Sequence, residues 1–189
     1  MERIEVGKEL VRKLVDGTIS DQDVLRLQNS YKDDDRFNKY VEVLQERVKW
    51  KDRILMRISD NVYIVQKEKS GEIISKCTCG HDFFDYRTNW KLGCLINVRK
   101  TLKEMSEVYS PEPACPEPEW QEIREFYCPD CGAQLAVEVL PPGYPVMFEF
   151  LADIPGFYRE YLGTPLTPEK KYECQDKSLE LTKTWGKEI

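Results

Sequence analysis

The chain has 189 residues, of which 41% are hydrophobic and 33% are charged, which suits one domain with a core or a core with extended arms. Its net charge of −6 comes from 34 acidic and 28 basic residues that are interleaved, which argues against a nucleic-acid surface because phosphate contacts need clustered lysine and arginine. No apolar run approaches the roughly 20 residues that cross a membrane, and the first residues resemble no signal peptide. We therefore expect a cytoplasmic protein without a membrane partner.

The first fifty residues carry helical patterns. Apolar residues at helical spacing predict a helix that ends at Asp16, where the next residue is a glycine that can close it. A second helix is expected to begin after Ser20, with acidic residues in its first turn. A third is predicted from about Asp35 to Val48, because its apolar residues share one face. Residues 1–50 are thus interpreted as an N-terminal helical arm.

The pattern then changes to that of short strands. Three β-rich runs begin at Ile54, Val62 and Gly71 and are separated by turn residues, so they predict a meander that leads into Cys77. Further elements are predicted as strands at 92–98, 123–127 and 134–140 and as a short helix at 101–109. Residues 51–140 are interpreted as one zinc-binding, β-rich domain.

The last part of the chain, residues 141–189, is rich in proline and aromatic residues near its start and is polar after Pro168. We expect it to pack on partner chains, with an extended tail. The predicted fold class is therefore α+β: N-terminal helices, a zinc-ribbon-like antiparallel β domain and an extended C-terminal arm.

Four of the seven cysteines form two close pairs. One residue separates Cys77 from Cys79, two separate Cys128 from Cys131, and a glycine follows each pair. Tetrahedral zinc needs four ligands, and two short turns that each present two thiolates supply them with little strain. The 48 residues between the pairs must then form a structured insertion. These four cysteines are the predicted ligands of a structural zinc.

Other interpretations of the cysteines remain open. The pairs could be unrelated buried thiols, a redox disulfide or a catalytic metal site. Four thiolates leave no open position on a catalytic zinc, and a redox pair more often begins a helix, whereas Cys128 lies between two strand-like runs. The remaining cysteines have no partner at ligand spacing: Cys94, Cys115 and Cys174.

His81 is the only histidine, which excludes most acid–base and nucleophilic schemes. Its position two residues after Cys79 suits either a substitute metal ligand or a local hydrogen bond. No phosphate-binding loop or catalytic triad is found, so we predict no catalytic residue. The residues alone indicate a zinc-stabilised binding or assembly protein; a zinc-ribbon nucleic-acid-binding or regulatory module and a free-standing zinc enzyme are the alternatives.

Several uncommon motifs occur in order between about residues 10 and 166. Together they resemble the small gamma subunit of the acetone carboxylase and acetophenone carboxylase family. The motifs are YVEVLQER at 40–47, CTCGHDF at 77–83, NWKL at 89–92, WQEIREFYCPDCG at 120–132, YPV at 144–146 and GFYREYLG at 156–163.

The resemblance implies a zinc-bearing structural subunit of a biotin-independent, ATP-dependent ketone carboxylase, whose complex converts a methyl ketone and bicarbonate into a β-keto acid. It implies larger, hydantoinase-like partner subunits that use the ATP and bicarbonate, and it carries zinc binding onto Cys77, Cys79, Cys128 and Cys131. Acetophenone carboxylase is implied to have a related gamma subunit. Differences between the motifs and a longer charged tail slightly favour that aromatic-ketone enzyme over acetone carboxylase.

Overall fold

The computed structural model describes residues 5–111, 114–167, 174–183 and 185. In this part of the chain, helices at the N-terminus precede two antiparallel sheets. The predicted α+β class is therefore confirmed. No helix within these ranges has the length and apolar character needed to cross a membrane.

The three predicted N-terminal helices are present as α1 (Lys8–Asp16), α2 (Asp21–Gln28) and α3 (Arg36–Gln45). Helix α1 ends where Gly17 adopts a φ of 67°, and α2 begins where the Ser20 side chain accepts a hydrogen bond from the first turn. Both boundaries agree with the sequence patterns. Helix α3 ends three residues before the predicted end.

The early end of α3 has a local cause. The Gln45 side chain accepts a hydrogen bond from the Ile54 amide (2.9 Å) and donates one to the Asp52 carbonyl (3.2 Å). These bonds hold the last helical residue against the beginning of the first strand. Leu44 then packs in a buried cluster with strand residues, so the helix covers one face of the sheet.

The first sheet has the order β1-β2-β3-β4, with antiparallel neighbours throughout. Its strands are β1 (Arg53–Ser59), β2 (Val62–Gln66), β3 (Ile73–Cys77) and β4 (Asp82–Asp85). The predicted meander is confirmed, while β4 was not predicted. Every residue of β2 is buried, because the helices cover one face of the sheet and the C-terminal segment covers the other.

The second sheet has the order β5-β6-β7 and is also antiparallel. A short 3-10 turn at Trp90–Gly93 occupies the beginning of the predicted strand at 92–98. The elements that follow it are β5 (Leu95–Arg99), α4 (Leu102–Ser106), β6 (Glu122–Tyr127) and β7 (Gln134–Leu140).

The C-terminal segment returns to the first sheet. A helical stretch comprises α5 (Ile154–Gly156) and a π-helical turn (Phe157–Tyr161), and it packs in the same cluster as Leu55. Farther on, residues 178–182 form helix α6 instead of the predicted extended tail, and the Ser178 hydroxyl accepts a hydrogen bond from the main body. Residues 168–173 of the predicted tail lie outside the described residues. The division into three parts stays a prediction.

Candidate metal centre

The sulfur atoms of Cys77, Cys79, Cys128 and Cys131 all lie within 4.8 Å of one another. Sulfur–sulfur distances are 3.9 Å for Cys77 and Cys131 and 3.7 Å for Cys79 and Cys128, far longer than a disulfide bond of about 2.05 Å. A tetrahedron with metal–sulfur bonds of about 2.3 Å has edges of about 3.8 Å. These two separations therefore match those around a tetrahedral ion, and the group of four could hold a metal.

The two sheets position the two pairs. Cys77 is the last residue of β3 in the first sheet, and Cys128 follows β6 of the second sheet directly. Both are fully buried and pack with Val62, Trp90 and Leu135 in one apolar cluster. The second cysteine of each pair is exposed. The site is thus the point where the ends of two strands from different sheets meet.

The two turns share one backbone pattern although their cysteine spacings differ. In the first turn, the Cys77 amide donates to the His81 carbonyl and the Gly80 amide donates to the Cys77 carbonyl, both at 2.9 Å. Cys128 and Gly132 make the equivalent bonds in the second turn, also at 2.9 Å. The φ values of 109° at Gly80 and 69° at Gly132 explain why glycine follows each pair.

Burial and backbone amides act on the thiols in opposite directions. Burial raises the pKa of Cys77 above its usual range, and it raises the pKa of Cys79 as well. A hydrogen bond from the Ala133 amide lowers the pKa of Cys131. Because a metal binds the thiolate form, binding at this site must displace protons, and the cation itself must offset the desolvation of the buried sulfur.

The His81 side chain contacts the second cysteine turn. Its Nδ1 atom lies 2.9 Å from a carboxylate oxygen of Asp130, and its ring packs edge-on against Phe83 at 4.9 Å between centroids. The set of possible metal-binding side chains found in the described ranges contains the four predicted cysteines and does not include His81. The imidazole therefore joins the first cysteine turn to the second, since Asp130 lies between Cys128 and Cys131.

Trp50 and Lys76 support the first turn, and neither was predicted as part of the site. The Trp50 indole donates to the Thr78 carbonyl at 3.0 Å, and the buried Lys76 ammonium lies 5.4 Å from the centroid of the indole ring. Lys76 also pairs with Asp52 at 3.1 Å. Lys76 also contacts the Asp82 carboxylate, so two acidic side chains hold its ammonium group. The only signal for Lys76 in the sequence is a charged residue within a predicted strand.

Comparisons with known proteins identify the family of this chain. A family model described as acetone carboxylase gamma subunit matches residues 48–162, which include all four cysteines. The acetone carboxylase gamma subunit of Xanthobacter autotrophicus is 45% identical over 157 residues, covering 83% of this chain and 92% of that protein. The acetophenone carboxylase beta subunit of Aromatoleum aromaticum is 36% identical over 77 residues, covering 40% of this chain and 60% of that protein. The chain therefore belongs to the acetone carboxylase gamma subunit family.

Proposed function

We propose that this chain is the zinc-bearing structural subunit of a multi-subunit, ATP-dependent ketone carboxylase. The observation that carries the proposal is the 45% identity to a carboxylase gamma subunit, which extends over 92% of that relative. Larger, hydantoinase-like subunits activate bicarbonate and a methyl ketone with ATP and join them into a β-keto acid. This chain contributes to the assembly of the complex and supplies no catalytic group.

The comparisons bear on the choice of ketone. Identity to the acetone carboxylase subunit is higher than identity to the acetophenone carboxylase subunit and covers about twice as much of this chain. The acetophenone relative is named a beta subunit, whereas the resemblance implied a gamma subunit. We therefore favour acetone over acetophenone, which reverses the slight preference drawn from the sequence.

Zinc is the metal that fits the site best. Four thiolates in tetrahedral arrangement are typical of structural zinc, and the separations of 3.7 and 3.9 Å fit its bond lengths. Zinc bound there supplies a closed cross-link between two strand ends and leaves no coordination position for a substrate. Cys77 and Cys128 hold it from the buried side, and Cys79 and Cys131 hold it from the exposed side.

The helical arm, residues 1–50, and the C-terminal extension, residues 141–189, are proposed to contact the larger subunits, while residues 51–140 carry the zinc. Helix α2 contains no buried residue, and its Leu25 is 56% exposed. Tyr161 at the end of the π-helical turn is also exposed. Apolar surface of this kind is typical of a subunit that is covered in its complex.

Co-expression with the large subunits of a ketone carboxylase tests the function. We expect a stable complex that fixes labelled bicarbonate only when ATP and a methyl ketone are both present, with acetone a better substrate than acetophenone. Omission of this chain should abolish assembly or activity. A chain that remains a folded monomer in the presence of these subunits would contradict the proposal.

The metal is tested by Cys128→Ser. We expect about one zinc per wild-type chain, and we expect loss of zinc together with loss of folding or assembly in the variant, because structural zinc binding contributes folding free energy. Metal analysis measures the zinc content, and the mass of the native complex measures assembly. Cys94→Ser is the matched control, since Cys94 is a partly buried thiol that packs on the same apolar cluster. If Cys128→Ser lost its zinc and still assembled normally, the structural role would be wrong.

A further inference from the structure

The two cysteine turns differ in how firmly the rest of the chain holds them. Thr78 lies between the two cysteines of the first turn, and its polar groups are bonded to residues outside that turn. Its amide donates a hydrogen bond to the Asn61 carbonyl at 2.9 Å, and its hydroxyl group donates to the Asn61 side chain at 3.3 Å. Its carbonyl accepts a hydrogen bond from the Trp50 indole at 3.0 Å. Because a peptide unit is planar, these bonds fix the two units that join Thr78 to Cys77 and to Cys79.

The residues that hold the first turn belong to the first sheet and to the segment that enters it. Asn61 lies between β1 and β2, and Trp50 lies between α3 and β1. The Trp50 ring packs edge-on against the ring of Tyr63, which is buried in β2, at 6.0 Å between centroids. All of these contacts lie within residues 50–81. The first turn can therefore form together with the first sheet, before a metal is bound.

The second turn is more exposed and makes fewer contacts. Residues 129–132 are all exposed, whereas Cys79 is the one exposed residue among 77–81. In the described part of the chain, and apart from the thiols, the only polar contact of residues 129–132 with the first turn is the one of 2.9 Å between Asp130 and His81. Segments with an exposed backbone and few contacts open at a low cost in free energy. The second turn is therefore the part of the site that opens most easily when no metal holds it.

We propose that the site binds its metal in a fixed order, in which the first turn captures the ion and the second turn then closes on it. The proposal rests on the zinc site of the proposed function. In the metal-free chain, Trp50 and Asn61 keep the first turn formed, so capture does not require the ordering of its two cysteines. Once the first pair holds the ion, the second pair binds it intramolecularly, because Cys128 packs in the same buried cluster as Cys77.

Two matched serine variants test the order through the rates of metal binding. Cys79 and Cys131 are the exposed cysteines of their pairs, so Cys79→Ser and Cys131→Ser each remove one thiol and leave the buried one in place. Cobalt(II), a first-row ion that thiolates also bind, is the probe, and absorbance follows its binding.

We expect Cys79→Ser to slow cobalt association about tenfold or more, because it removes a thiol from the turn that captures the ion. We expect Cys131→Ser to associate within about threefold of the wild-type rate and to release cobalt faster to a chelator, because the second turn acts after capture. Equal association rates for the two variants, or slower association of Cys131→Ser, would overturn the proposal.

Hydrogen exchange measured by mass spectrometry tests the role of Trp50. In the metal-free wild-type chain, we expect the amides of residues 77–81 to be protected about tenfold more than those of residues 128–132. Trp50→Phe keeps an aromatic ring but removes the donor to the Thr78 carbonyl, so we expect it to abolish this difference and to slow cobalt association. Trp120→Phe is the control, because Trp120 is 74% exposed, and it should match the wild type.

The outcomes separate this proposal from the proposed function. A metal-free wild-type chain whose two turns exchange equally, including one that loses protection throughout, overturns the order of binding alone if the chain still binds about one metal ion. A Trp50→Phe variant with wild-type exchange and wild-type association also overturns the order alone. A wild-type chain that binds neither zinc nor cobalt overturns the zinc site of the proposed function as well.

Discussion

Replacement of Tyr158 by phenylalanine is expected to destabilise the protein by about 2 kcal/mol. Tyr158 is buried, and its hydroxyl group donates a hydrogen bond to the Leu55 carbonyl at 2.9 Å. Leu55 is fully buried and lies at a register shift of β1, between Ile54 and Met56, where it has no paired residue on β2. The tyrosine thus satisfies a strand carbonyl at a point where the sheet is irregular.

The magnitude follows from what the variant leaves behind. The phenylalanine ring keeps the packing of the tyrosine ring, so no cavity forms. A buried acceptor that loses its donor costs about 1–3 kcal/mol. For a chain of about 150–250 residues, 1 kcal/mol shifts the Tm by about 2–4 °C, so we expect a decrease of about 4–8 °C.

Thermal unfolding of the full chain, followed by circular dichroism, measures this decrease. Tyr144→Phe is the control, because it removes the same hydroxyl group from an exposed ring, and its Tm should change by less than about 1 °C. If Tyr158→Phe also unfolded within about 1 °C of the wild type, the hydroxyl group would not satisfy a buried carbonyl, and the docking of the π-helical turn on β1 would be incorrect.

Two further substitutions test the first cysteine turn and the N-terminal helices. Gly80→Ala is expected to lower the Tm and to speed the release of a bound metal more than Gly143→Ala. Both glycines have a positive φ, but a Cβ atom at Gly80 would lie 3.3 Å from the Trp50 ring, whereas one at Gly143 would have open space. Equal effects would contradict the close approach to Trp50. Asp33→Asn is expected to lower the urea midpoint at neutral pH, because a hydrogen bond from Lys39 lowers the pKa of Asp33 from 3.8 to about 2. The carboxylate's contribution to the free energy of unfolding is present above pH 3.8 and is lost as the pH falls towards about 2. The difference in urea midpoint between the variant and the wild type should therefore shrink over that range. A difference independent of pH would refute the assignment.

The sequence was most informative where structure depends on neighbouring residues. The ends of α1 and α2, the β1-β2-β3 meander and both cysteine turns were predicted from glycines, caps and alternation, which act within a few positions. Strand β4 was missed because Asp82–Asp85 is only four residues long and follows the first cysteine turn directly. Helix α6 was missed for a similar reason, since its five residues lie in a polar tail and are positioned by contacts with the main body.

The other contacts that the sequence did not predict join residues far apart in the chain. The contact between Trp50 and Thr78 joins residues 28 positions apart, and the pair of Lys91 with Glu138 joins residues 47 positions apart. Neither has a local signature, since each depends on how the strands are arranged. The four cysteines are also far apart in the chain, but their contact could be predicted. Two close pairs of cysteines are typical of side chains that bind one metal ion.

The distance along the chain between the two cysteine pairs has a consequence for folding. A metal held by both pairs closes a loop of about 50 residues between Cys79 and Cys128, and this loop contains β5, α4 and β6. In the chain-entropy description, closing a loop of that length removes about 4 kcal/mol of conformational freedom from the unfolded chain. The time at which the metal arrives therefore matters. Bound early, it joins the end of β3 to the turn between β6 and β7 before the strands of the second sheet pair. Bound late, it only stabilises contacts already made.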